Sequence, residues 1–199
     1  MTRLAGLVLT LVLGIVPSAA AVDASTPQRS ARHTHAAVSE RTAPSRTQWL
    51  ADVKAAMKGS RGYVRKRVAA KAPGEMLAVN FDIDNTVLAT YYDGGGAIPL
   101  MLRFSKLLGR LDVALVFNTG RVATQYQSTL DQLTRAGFPV TALCLRNQGE
   151  TLPAGKQRCR DSFISSGYTL IANVGNNKTD FVGDGYERAF RLPNYGVLG

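Results

Sequence analysis

From residue 47 onward the hydrophobic positions follow two alternating periods. Trp49, Leu50, Val53 and Met57 recur at helical spacing until Gly59-Ser60 interrupts them. A second helix is predicted next, with Tyr63, Val64 and Val68 on one side and Arg61, Arg65, Lys66, Arg67 and Lys71 around the rest; Pro73-Gly74 closes it. Met76–Phe81 is a short apolar run ending in acids, the pattern of a buried strand. Ile98–Leu108 predicts a helix through Leu100, Met101, Phe104, Leu107 and Leu108, and Val113–Phe117 a second buried strand. Val122, Tyr126, Leu130 and Leu133 predict a helix closed by Gly137, and Val140–Leu145 a third strand. A helix over 157–166, stopped by Gly167, leads to a fourth strand at Thr169–Val174 and a short fifth at Ala189–Leu192. Apolar strands alternating with amphipathic helices predict an α/β fold, a parallel sheet covered on both faces.

The first 46 residues fit neither period. Residues 1–21 carry Arg3, an uncharged run from Leu4 to Val16, then Pro17, Ser18 and alanines, the pattern of a secretory signal peptide. The run is shorter than the ~20 residues a bilayer span needs, so no transmembrane segment is expected after cleavage. No Cys lies near the cleavage site, so there is no lipobox, and a secreted protein is expected. Residues 22–46 hold almost no large apolar side chain and read as a flexible basic tail, in which His33 and His35 are solvated. The folded domain is expected over 47–199, led by its two helices. In an exported chain the only two cysteines, Cys144 and Cys159, lean towards a disulfide, against the alternative of two separate thiols.

Charge changes the picture less than it first suggests. The chain has 24 Lys+Arg against 14 Asp+Glu, a net charge of +10. Seven basic residues against two acids fall in 47–75, whereas 76–199 has twelve against ten. The sheet is therefore nearly neutral, and the excess sits on the helical lead-in and the tail. The basic helix lacks the interleaved aromatics of a single-strand binder, so nucleic acid is not an expected partner. An anionic surface is one partner that the helix could contact.

Ligands of open parallel sheets bind at the carboxyl ends of the strands, and there the polar residues cluster. The first strand ends in Asp82-Ile83-Asp84-Asn85-Thr86, the second in Asn118-Thr119-Gly120-Arg121 and the fourth in Gly175-Asn176-Asn177-Lys178-Thr179-Asp180; Lys156 follows the third after a Gly/Pro-containing loop. This set permits phosphoryl transfer. One carboxylate can attack phosphorus, and a second can protonate the leaving oxygen and then activate water. A hydroxyl and an ammonium can hold the phosphoryl oxygens, and an all-oxygen site suits Mg²⁺.

In order and spacing, Asp82-x-Asp84-x-Thr86, Thr119-Gly120-Arg121, Lys156 and Gly175 with Asp180 resemble the four motifs of the haloacid dehalogenase (HAD) superfamily. The chain is most similar there to the exported acid phosphatases of subfamily IIIB, a group that includes bacterial class B enzymes and plant vegetative storage proteins. The two leading helices and the ending Phe190-Arg191-Leu192-Pro193-Asn194-Tyr195 fit that resemblance. It implies a three-layer, Rossmann-like fold and a Mg²⁺-dependent phosphomonoesterase working through an aspartyl-phosphate. By it, Asp82 is the nucleophile and a metal ligand, and Asp84 is the general acid/base with its carbonyl on the metal. Thr119 and Gly120 bind the phosphoryl group, Lys156 neutralises it, and Asp180 completes the metal site.

One residue departs from the pattern. Asn176 stands where the family usually has Asp, so the metal would gain a carbonyl without a charge. Asp184 is a substitute ligand or part of a plain turn, and Lys178 is expected to weaken metal binding further. Arg121 is left with two roles, binding phosphate or pairing with an acid. Asn80 and Asn118 are candidate supports for the acids, and Tyr91 and Tyr92 either line the mouth or pack beneath a flap. Neither interval between the first three motifs has room for a large cap domain, so the site is expected to be open to a phosphorylated small molecule or a larger phosphoester. The alternative reading is a catalytically weakened protein of the same fold that binds anionic or phosphorylated cell-envelope ligands.

Overall fold

A computed structural model describes residues 42–198. The expected signal at 1–21 and all but the last residues of the expected tail, with His33 and His35, lie outside the described residues. Helix α1 (Arg46–Ala56) is capped by the Ser45 side chain, which accepts from Gln48 N, and α2 (Ser60–Ala69) follows a turn at Gly59. Strand β1 (Met76–Phe81) leads to a small excursion: β2 (Leu88–Ala89), α3 (Thr90–Asp93) and β3 (Gly96–Ala97). Then come α4 (Pro99–Arg110), β4 (Ala114–Val122), α5 (Tyr126–Arg135), β5 (Ala142–Arg146), α6 (Leu152–Ser165), β6 (Tyr168–Gly175) and β7 (Ala189–Arg191). Five strands form one parallel sheet in the order β5-β4-β1-β6-β7, while β2 and β3 make a separate antiparallel pair. Among the described residues, no helix is long and apolar enough to cross a membrane.

Strand parity sorts the two faces of this sheet. Leu77, Val79 and Phe81 of β1 join Leu115 and Phe117 of β4 in a large core that also takes Trp49, Val53, Val64, Phe104, Leu108 and Leu133 from the helices. The opposite parity, Ala78, Val116 and Leu170, packs on Cys159 and Phe163 of α6 in a second core. Two residues further along β1 and β4, and three along β6 past its register irregularity, this α6 face turns polar, with buried Asn80, Asn118 and Asn173. Asn80 and Asn173 are register partners on adjacent strands, and the Asn80 amide donates to Asn173 Oδ1. Asp82, two residues beyond Asn80, comes next on the same side. The sheet thus grades from apolar to amide to carboxylate under α6.

Three boundaries differ from the sequence expectation. Strand β4 runs to Val122 rather than stopping at Phe117, because pairing with β5 continues to Thr119↔Leu145 and, past an irregularity, to Val122↔Arg146. Its last residues are polar, so hydrophobic periodicity ended too early, and Val122 closes a strand rather than opening a helix. Helix α6 begins at Leu152, so Lys156 stands inside a helix and not in a loop; the N-cap is Thr151, whose side chain accepts from Ala154 N. Finally, the expected flap is built as the β2–β3 pair with α3 between them, and no cap domain is inserted.

Candidate active site

The first acid is fixed at both oxygens. Asp82 lies just past β1, its N–H donating to Val174 O (2.9 Å). Its Oδ1 accepts from Lys156 Nζ at 2.6 Å and its Oδ2 from the Thr86 hydroxyl at 3.0 Å. Lys156 projects from α6 and is buried; Nζ also donates to Asn118 O (2.6 Å), while Asn118 Nδ2 donates back to Lys156 O (2.8 Å). This reciprocal pair stitches the first turns of α6 to the end of β4. Asn118 therefore supports Lys156, and Asn80 supports Asn173.

Asp180 is the second acid facing that ammonium. It sits in the short 3-10 turn Lys178–Phe181, with Oδ2 accepting from Asn177 N (2.8 Å). Lys156 Nζ stands 2.8 Å from Asp180 Oδ1, a buried ion pair and the one polar contact of that oxygen among the described residues. A Cβ on Gly175 would collide with the Asp180 carboxylate, which is why the strand must end in glycine here. Arg160, one turn beyond Lys156 on α6, is fully buried and donates to the carbonyls of Asp180 (3.0 Å), Asp184 (2.8 Å) and Val182. It holds the loop that carries Asp180, and nothing in the sequence pattern marked it.

Two buried carboxylates share one buried ammonium. Burial, then the neighbouring charge of Asp180, pushes Asp82 up from 3.8 to about 6 despite the opposing pull of Lys156. Burial works against the Lys156 ammonium, but the facing charges of Asp82 and Asp180 hold it above its ordinary value.

Asp84 points both oxygens at Arg121, accepting from Nε at 2.9 Å and Nη2 at 2.7 Å. Arg121 also donates to Gln132 Oε1 (2.8 Å) and Thr129 Oγ1 (3.3 Å), which resolves its role as partner to the acid in this arrangement. Thr119 is buried, and its hydroxyl accepts from Arg121 N (3.2 Å). A Cβ on Gly120 would run into the Leu152 side chain, so this position presents bare backbone. Asp82, Asp84, Thr119, Gly120, Lys156, Asn176 and Asp180 all line one cleft of about 150 Å³, with Arg121, Leu152, Asn177 and Thr179.

The donor set suits a hard divalent cation. Asp180 Oδ1 meets only the Lys156 ammonium, and the Asp84 carbonyl accepts no backbone hydrogen bond. Asn176 Nδ2 is tied to Leu198 O (2.8 Å), the carbonyl that also receives Asn85 Nδ2 (2.9 Å), so its Oδ1 is left for the cleft. Only two carboxylates contribute charge; among the described residues no cluster of three His, Cys, Asp or Glu side chains is placed to hold a metal. Asp184 is not brought to the cleft: its carboxylate receives Gln157 Nε2 at 3.4 Å and its carbonyl receives Arg160. Lys178 is exposed and does not line the cleft either. Tyr92 stacks on Trp49 (centroids 4.6 Å apart) and donates to Pro44 O, whereas Tyr91 is exposed; neither lines the cleft. Cys144 and Cys159 form a disulfide that clamps β5 to α6, three residues beyond Lys156.

The family model for the HAD superfamily, subfamily IIIB (acid phosphatase), matches residues 94–198. The chain belongs to this acid phosphatase family. The matched segment holds Thr119, Lys156, Asn176 and Asp180; Asp82 and Asp84 precede it, so their assignment rests on position in the cleft. Vegetative storage protein 2 of Arabidopsis thaliana is 28% identical over 141 residues, which cover 57% of this chain and 53% of the relative. The chain thus spans about half the length of the curated relative it matches. Two structures of the class C acid phosphatase from Bacillus anthracis superpose with TM-scores of 0.61 (with tungstate bound) and 0.60, at 19% and 18% identity. Each superposition covers 74% of this chain and 78% of the other. At that identity they establish the fold shared with HAD acid phosphatases.

Proposed function

We propose that this member of the family is an exported, Mg²⁺-dependent phosphomonoesterase that forms an aspartyl-phosphate on Asp82. The observation that carries the reading is the Asp82 carboxylate itself, held by Thr86 and Lys156 at the floor of an uncapped cleft. Asp82 attacks the phosphorus, the ester P–O bond breaks, and Asp84 gives its proton to the leaving oxygen. Asp84 then takes a proton from water as that water attacks phosphorus, which releases phosphate and the Asp82 carboxylate. Both Asp84 oxygens face Arg121, so proton transfer needs one of them released; an incoming phosphate dianion competes for the same guanidinium donors. Thr119 and the bare backbone at Gly120 receive the phosphoryl oxygens, and Lys156 offsets their charge. Asp82, the Asp84 carbonyl, Asp180 and Asn176 would hold Mg²⁺, which would supply further charge neutralisation to the nucleophile and the phosphate.

The absence of an inserted cap leaves the cleft open to a phosphorylated small molecule or a larger phosphoester. The Cys144–Cys159 disulfide favours an oxidising compartment, in line with export. Asn176 favours one second reading, a weakened site that binds phosphorylated ligands with little turnover.

The test is phosphate release from p-nitrophenyl phosphate, with and without Mg²⁺, by the wild type and by Asn176→Asp. The proposal expects Mg²⁺-dependent turnover by the wild type and a lower half-saturating Mg²⁺ in Asn176→Asp. Turnover confined to Asn176→Asp would favour the second reading, and none in either protein would refute the first.

A further inference from the structure

Away from the catalytic cleft, a groove of about 530 Å³ opens between the α1–α2 turn and α4. That is the size of a small-molecule site. Its accessible floor is apolar: Leu100, with Ala51 and Ala55 on the α1 side, over the buried Met57 and Phe104. Its rim is cationic: Lys54, Lys58, Arg61 and Arg103 all line it, and no acid does. Among the described residues none of these four makes an ion pair, whereas Arg46, Arg67, Arg121 and Arg158 elsewhere on the molecule are each paired with a carboxylate. Helix α2 also begins in this groove. Its N-cap is Gly59, in the left-handed region at φ 82, with no side-chain cap and no acid in the first turn. The Ser60 side chain beside it is buried in the groove wall.

Four unpaired like charges around one groove repel each other, and an uncapped helix start adds partial positive charge. An anion relieves both, but an anion alone leaves the apolar floor uncovered. We propose that this groove binds a single-chain amphiphile with an anionic head, such as a free fatty acid. The head sits among Lys58, Arg61 and the start of α2, and the chain lies on Leu100, Ala51 and Ala55. The ligand is the monomeric amphiphile and not a membrane surface, because the apolar surface is recessed and not protruding. The site is separate from the phosphate cleft and does not depend on the catalytic reading.

The test is calorimetric titration of the full chain with laurate below its micellar concentration. The expected result is one-to-one binding that saturating inorganic phosphate leaves unchanged. Arg61→Glu/Arg103→Glu should weaken it at least tenfold, and Ala55→Trp, at an exposed helical position, should abolish it by filling the groove. Thermal melts and p-nitrophenyl phosphate hydrolysis should be unchanged in both variants, so a failed fold or a failed catalytic reading is separable from a failed site. Competition by phosphate, equal binding by the variants, or equal binding of uncharged dodecyl maltoside would each overturn the proposal. So would binding to anionic vesicles with no titration of monomeric laurate.

Discussion

Replacing Asp82 with Asn should change how stability depends on pH, and the structure gives the size and sign. Burial and Asp180 raise the Asp82 carboxyl from 3.8 to about 6 in the folded chain. A tenfold change in proton affinity is ~1.4 kcal/mol, so this rise is equivalent to about 3 kcal/mol. A raised folded value means the contribution is fully present below the unfolded value near 4 and is lost as pH climbs through 6. Wild type should therefore lose most of this, about 2 kcal/mol, relative to Asp82→Asn between pH 4 and pH 7. Asn cannot titrate, and Lys156, held above its ordinary value, stays charged beside Asp180 throughout that window. The assay is urea unfolding of both proteins from pH 4 to pH 7.5 with EDTA present to exclude metal. Only the slope of the difference matters, since the lost Lys156 contact adds a constant offset. A flat difference, or wild type gaining on the variant as pH rises, would refute the reasoning and mean that the attraction of Lys156 outweighs burial.

Two further perturbations test the same cluster. Lys156→Met leaves Asp82 and Asp180 buried without their shared cation; it should cost ~3–5 kcal/mol at neutral pH, checked by chemical unfolding. Part of that loss should return on acidification, as the buried Asp82 carboxyl takes up a proton. Cys144→Ser/Cys159→Ser opens a loop of 15 residues and should cost ~3 kcal/mol, with lower turnover because α6 carries Lys156; melting with and without reductant checks it.

Much of the site was readable because each strand announces its own end. Asp82, Thr119 and Asp180 follow apolar runs, and glycine or alternating acids mark the change of direction. Lys156 was readable as a residue but not as a helical one. The Gly and Pro near it suggested a loop, although Thr151 followed by Pro153 is an N-cap signature that could have placed the helix start. Arg121 was legible only as a choice between two roles, since pairing with Asp84 depends on a turn that brings positions 84, 121 and 132 together. Arg160 was invisible, because its partners are backbone carbonyls and any residue can supply those. Asn80, Asn118 and Asn173 became a layer only once the strand order β4-β1-β6 set them on one face of the sheet. Asp184 failed as a ligand because its loop turns back onto α6 through Gln157 and Arg160.

The central claim is that phosphate passes through a covalent bond to Asp82. Wild-type protein should be quenched in mid-turnover with Mg²⁺ and p-nitrophenyl phosphate, then treated with borohydride, which reduces an acyl phosphate to an alcohol. Peptide mass spectrometry should find homoserine in place of Asp82, dependent on substrate, and unmodified carboxyls at Asp84 and Asp180. Sustained phosphate release with no reduction at position 82, or equal turnover by Asp82→Asn, would contradict the account.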